Sequence, residues 1–181
     1  IETLANGTQR AVLVDFWAAA FNPSTIPRYL HTIVAALICG AFFVMGVSAW
    51  MLLKGKNREY AKASMKSAVI LAFVASVLEL GAGHYHAVQV AFTQPAKLAA
   101  FEGLFETQTR APALIFGIPD AESRTVKAAI KIPAALSMMI HMDPNKEVKG
   151  LDAFPREEWP PLAGTFYPFH LMVALGMFFI L

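Results

Sequence analysis

The chain carries a single cysteine, Cys39, so it has no disulfide framework and its redox compartment cannot be read from cysteine usage. Charge is also scarce. The 15 basic and 13 acidic residues leave a net +2, too little to suggest a nucleic-acid partner. No internal repeat and no low-complexity tract is present, so the chain is not built as a repeat array. Between Tyr29 and Leu53 no acidic or basic side chain occurs except His31. The sequence opens on Ile1 and stops inside the apolar run Leu171 to Leu181, and it reads as an internal fragment. The lack of a leader segment therefore carries no meaning.

What is present is apolar: 56% of residues are hydrophobic. At ~1.5 Å per residue, the Tyr29 to Leu53 run covers roughly 37 Å as a helix, enough to cross a hydrocarbon core of ~30 Å with some tilt. Lys54, Lys56, Arg58, Lys62 and Lys66 follow against Glu59 alone, and a second apolar run starts at Ser67. A short basic loop between two spans is the positive-inside pattern. Residues 54–66 are therefore expected to be cytoplasmic, with His31 near the outer face. The expected fold is an all-α, polytopic transmembrane helical bundle. Residues 1–26 form an outer-face segment, in which Thr8 to Ala20 suits a short amphipathic helix. Residues 27–83 hold two spans, from about Pro27 to Leu53 and from about Ser67 to Gly83. Residues 84–163, too polar and Pro-rich for lipid, form an outer-facing region. Residues 164–181 begin a third span near Tyr167. Tyr29 and Trp50 suit interfacial positions, and Ala36 and Gly40 make a small-xxx-small pair.

Within the outer region, Gln94 to Glu106 reads as an amphipathic helix with Leu98, Phe101, Leu104 and Phe105 as its apolar stripe. A loop is expected through Pro112 and Gly117 to Asp120, then a short helix over Glu122 to Ile130 that Pro133 breaks. The Pro-rich, charged residues 143–163 read as ordered loop.

Two side chains sit at matching offsets from their span entries. His31 is four residues past Pro27, and Met172 is four past Pro168. An imidazole and a thioether at similar depth suit a cofactor held between two helices, and His/Met is an axial pair for haem iron. The ordinary alternative is an interfacial histidine and a core methionine, and spacing alone favours it. Glu79 is the one carboxylate inside a span. It either serves a proton path or a cofactor, or reaches water at the outer interface. His84 and His86 lack cysteine or carboxylate partners at ligand spacing and read as interfacial. His141, in an expected loop, receives no role. Lys97 and Glu102 are about 140° apart on a helix, so each would meet a different part of a ligand lying over it. Taken alone they read as solvated charges.

Together these residues resemble subunit I of the cytochrome bd quinol oxidases. QPAKLAAFEGLFET (Gln94 to Thr107) and FGIPD (Phe116 to Asp120) are similar to two stretches of the family's quinol-oxidation loop. The segments from His31 to Gly55 and from Phe169 to Phe179 are similar to its low-spin haem helices. The resemblance implies His31 and Met172 as axial iron ligands of a haem b (b558-type). It also implies Lys97 and Glu102 as quinol-contact residues, with Lys97 favouring an ionised Glu102. High-spin haem b and haem d are expected outside the fragment. The implied partners are ubiquinol or menaquinol, a second oxidase subunit and the lipid bilayer of a bacterial or archaeal cell membrane, where quinol is oxidised on the outer side and O2 reduced. Three positions depart from the family pattern. His170 stands where arginine is usual, which puts its cofactor contact at issue. Gly81-Ala82 stands for a usual Gly-Asp, with Glu79 as a substitute carboxylate. Phe105 replaces tryptophan. The rival readings are a haem-free scaffold or transporter subunit, and a haem b quinol:acceptor protein without O2 reduction.

Overall fold

The computed structural model describes residues 12–181, together with Gly7 and the backbone of residues 2–3 and 9–10. Strands β1 (Glu2–Thr3) and β2 (Gln9–Arg10) pair antiparallel. The amphipathic helix expected over Thr8 to Ala20 is confined to α1 (Phe16–Ala20), and residues 8 and 11 of that stretch lie outside the described residues. Asp15 sets the boundary. Its Oδ1 accepts the amides of Trp17 at 2.8 Å and Ala18 at 3.0 Å, so this residue is an N-cap and not a helix interior position.

Helices α2 (Thr25–Leu53) and α3 (Arg58–Thr93) form an antiparallel hairpin, and both are long and apolar enough to cross a membrane. Pro27 occupies the first turn of α2, where no amide partner is lost. The basic connection turns through Gly55 (φ 67°) and Asn57 (φ 42°), both left-handed. The close-packing face lies on α3, where Ala61, Ala68, Ala72, Ala75 and Ser76 are buried. Gly40 has nothing near the space its Cβ would fill, so the Ala36/Gly40 pair faces away from this contact.

The α3 helix does not stop at Gly83 but continues ten residues further, to Thr93. At ~1.5 Å per residue it is about 54 Å long, so it outruns a hydrocarbon core and carries His84 and His86 on helical backbone. Its end is dictated by Gln94-Pro95. A residue before proline is driven out of the α region, and Gln94 adopts φ −140°, ψ 59°. Pro95 then opens α4 (Pro95–Glu102), and Gly103 closes it in the left-handed conformation (φ 62°).

Beyond α4 the chain forms strands where a helix was expected. After β3 (Gln108–Thr109), β4 (Ala113–Asp120) and β5 (Thr125–Ile132) make an antiparallel hairpin covering the expected Glu122 to Ile130 helix and the Gly117 to Asp120 loop. Asp120 imposes the turn by accepting the amides of Glu122 (3.0 Å) and Ser123 (3.2 Å), and it bonds Lys127 across the hairpin at 2.7 Å. Thr125, Val126, Ile130 and Ile132 are β-branched, and cross-strand pairing overrides the helix preference of the Lys and Ala between them. Ala128 (φ 49°) forms a bulge where the register shifts between Phe116 and Ile118.

The remaining elements close over α4. Helix α5 (Ala135–His141) ends at His141, which is therefore helical and not in a loop, and its Nε2 lies 3.1 Å from Glu147 O. Strand β6 (Glu147–Val148) pairs with β3, two 3-10 turns follow at Leu151–Ala153 and Arg156–Glu158, and α6 (Leu162–Phe178) ends the chain. The core of this region is built on the expected stripe: Leu98, Phe101, Leu104 and Phe105 are all buried, with Leu136, Ile140 and Leu151 against them.

Candidate functional site

Two polar sites interrupt the apolar packing. The first lies between α2 and α3. Glu79, Gly83 and His86 recur at helical spacing on α3 and face His31 of α2. His31 Nδ1 is 2.9 Å from Glu79 Oε1, although the ring is not aligned for a hydrogen bond. The His31 ring lies 3.7 Å from the position a Cβ on Gly83 would take, an ordinary packing distance. The His86 ring is 5.4 Å away at 57°, and Arg28 and Lys97 are the cations within electrostatic reach of His86. His84 is exposed. Two residues apart on a helix, the histidines point about 200° apart and do not converge. At the top of this seam Gln89 donates to Ser24 Oγ at 2.6 Å and to Thr93 Oγ1 at 2.8 Å. Glu79 Oε2, Gln89 Oε1 and Ser76 Oγ are buried without partners.

Met172 is half-exposed on α6. Phe42 of α2 stacks on Phe179 just past α6, with centroids 4.5 Å apart. Counting back at ~1.5 Å per residue for parallel axes, His31 lies about 16 Å and Met172 about 10 Å toward the outer region. Both side chains thus lie on the same side of that ring contact, toward the outer region. An imidazole with a carboxylate beside its Nδ1 and a thioether on another helix are the donor types that suit a low-spin haem iron. Among the described residues, no group of three His, Cys, Asp or Glu side chains is arranged to hold a bare metal ion.

The second site is a cleft of about 360 Å³ between the end of α4 and the β4–β5 hairpin, lined by Glu102, Phe105, Leu114, Arg124, Val126 and Lys131. Glu102 is only 9% exposed. Burial pushes its carboxyl up to about 7, against partial compensation by the Leu114 amide. Lys97 is exposed on the opposite side of α4, toward His86, and is not part of this cleft. The two residues therefore do not form a pair, and burial, not a neighbouring lysine, sets the state of Glu102. At the hairpin tip Arg124 lies over Trp159 at 5.8 Å, as does Arg156, and Trp159 Nε1 donates to Phe154 O at 3.1 Å. His170 stacks on Phe166 (4.0 Å), and its ring nitrogens lie 3.0 Å from Phe166 O and 3.1 Å from Leu114 O. Both partners are acceptors, so an imidazole with one N–H donates to one of these two carbonyls and not to both. Arg124, Lys131 and Trp159 were not singled out from sequence, because only the hairpin brings them to α4.

Two antiparallel helices long and apolar enough to cross a membrane, with a histidine and a carboxylate facing each other between them, make this a membrane-type helical protein in class. The chain belongs to the cytochrome bd terminal oxidase subunit I family, whose model matches residues 2–181. It is 41% identical over 172 residues to a Bacillus subtilis cytochrome bd subunit I provisionally named for menaquinol, covering 93% of this chain and 39% of that protein. To the Bacillus subtilis cytochrome bd ubiquinol oxidase subunit 1 it is 35% identical over 189 residues, covering 99% of this chain and 40% of the relative. The solved bd oxidase of Geobacillus thermodenitrificans superposes with a TM-score of 0.83 at 36% identity, over 92% of this chain and 38% of that one. The chain thus spans about two fifths of the length of these relatives.

Proposed function

We propose that this chain forms the electron-entry region of a membrane quinol oxidase, oxidising quinol at the outer face. The observation that carries this reading is Glu102, a buried carboxyl poised near neutrality at the wall of a cleft between α4 and the β4–β5 hairpin. Quinol oxidation releases two electrons and two protons, so the site needs a base that is ionised when quinol binds. A carboxyl near 7 is matched to that task. Phe105, Leu114 and Val126 give the cleft apolar walls for a quinol ring, and Glu102 accepts a hydroxyl proton for release outward. Lys97, on the other side of α4, serves the outer approach and not the same hydroxyl.

His31 and Met172 would hold a low-spin haem b, which when bound takes up electrons one at a time. The Phe42 and Phe179 rings, 4.5 Å apart, bring the end of α6 against α2. An O2-reducing haem centre outside these residues and a second subunit would complete the oxidase. Residues 54–66 would lie on the cytoplasmic side and residues beyond α3 on the outer side, as their charge asymmetry asks.

The test is a reduced-minus-oxidised optical spectrum of the full-length protein in membranes, wild type beside Met172→Leu and His31→Ala. A low-spin b-type signal that is lost or becomes high-spin in the variants supports the reading. A well-expressed wild type without haem absorbance refutes it.

A further inference from the structure

We propose that Glu79 is a positioning residue for His31: its carboxylate receives the His31 Nδ1–H and so directs Nε2 to the haem iron. This rests on the reading of His31 as an iron ligand, and goes beyond it by assigning the partner of the ligand's second nitrogen.

The geometry carries the inference. Glu79 is the one acidic residue in the middle of either long helix, at a depth where an unpartnered carboxylate is expensive. His31 Nδ1 lies 2.9 Å from its Oε1. A ring nitrogen presenting a lone pair to a carboxylate at that distance would be repelled, so the proton belongs on Nδ1. A neutral imidazole carries one N–H, and placing it on Nδ1 leaves the Nε2 lone pair free for a metal. Gly83, one turn from Glu79, packs beside the His31 ring, and the His86 ring lies 5.4 Å away on the next turn. A carboxylate behind a ligating histidine also makes the imidazole a stronger donor, which stabilises ferric over ferrous iron and lowers the potential. Glu79 Oε2, buried without a partner, remains available for a second contact.

The test uses the full-length protein in membranes, with Glu79→Gln and Glu79→Asp. Two readouts are taken: the midpoint potential of the low-spin haem and the g-values of its ferric form by electron paramagnetic resonance. Glu79→Gln should retain the haem, shift the midpoint upward and alter the g-values, because an amide is a weaker acceptor. Glu79→Asp, which keeps the charge on a shorter stem, should fall between Glu79→Gln and wild type. Wild-type values in a haem-loaded Glu79→Gln protein would overturn the proposal and leave the His31 assignment standing. Absence of any low-spin haem in the wild type would overturn both. Should Glu79→Gln fail to accumulate, Glu79→Asp decides alone: a displaced midpoint supports the assignment and an unmoved one overturns it.

Discussion

Glu102 makes a prediction whose magnitude follows from its burial. With its carboxyl raised to about 7, roughly one tenth of the sites are ionised at pH 6 and nine tenths at pH 8. If the ionised form accepts the quinol proton, kcat/KM for quinol should rise about tenfold across that interval and level off above it, because this ratio reports the free enzyme. An ordinary carboxyl, at 4.5, would be fully ionised throughout and would give a flat profile. Glu102→Gln should lower quinol oxidation by about two to four orders of magnitude and abolish the limb near pH 7, with haem content unchanged. The assay is quinol consumption by the full-length oxidase in membranes, at a series of pH values. A flat wild-type profile between pH 6 and 8, or a Glu102→Gln variant that keeps both the limb and the rate, would refute the reasoning.

The same carboxyl links pH to local stability. A folded value above the unfolded one means that the folded state binds the proton more tightly. Its stabilisation is fully present below about 4.5 and is lost as pH rises through about 7, amounting to ~3 kcal/mol for this buried group. Amides of α4 should therefore exchange faster at pH 8 than intrinsic rates alone require, and Glu102→Gln should remove the excess.

Two packing predictions follow from the extramembrane core. Gly150→Ala would put a Cβ 2.4 Å from the Glu106 carbonyl carbon, displacing the 150–152 segment from the Thr107–Asp152 bonds of 2.6 and 2.9 Å. It should cost about 1–3 kcal/mol and speed proteolysis after Glu106 in the full-length protein, and wild-type resistance would rule the clash out. Phe101→Ala removes a buried ring stacked on Phe169 at 4.1 Å and should destabilise by about 3–5 kcal/mol, read as a lower Tm of the extramembrane region. An unchanged Tm would mean that α4 and α6 are held together by other contacts.

The spans and the α4 stripe were legible because burial against lipid or core leaves a plain apolar pattern, and Leu98, Phe101, Leu104 and Phe105 display it within one short stretch. The length of α3 was not. His84 and His86 read as polar punctuation, whereas helix continuity depends on backbone bonds that nothing interrupts before Pro95. The hairpin was hidden for a related reason. Lys127, Ala128 and Ala129 favour a helix locally, and the Asp120 turn and the partner strand that defeat them depend on pairing with residues up to 19 positions away. The His31–Glu79 approach joins residues 48 positions apart, so each was visible as an anomaly but their contact was not.

The Glu102 cleft is tied directly to α6. Leu114 of β4 offers its amide to Glu102, and its carbonyl faces the ring of His170, two residues before Met172. Phe101, one residue before Glu102, stacks on Phe169 of the same α6 turn. The wall of the cleft and the helix bearing the thioether are thus fastened at two adjacent points, one polar and one apolar. An imidazole with one N–H donates to only one of the two carbonyls that His170 approaches, Phe166 O or Leu114 O, so the Phe101–Phe169 stack carries the rest of the attachment. A substitution at Phe169 or His170 should therefore disturb the surroundings of Glu102 and of Met172 together.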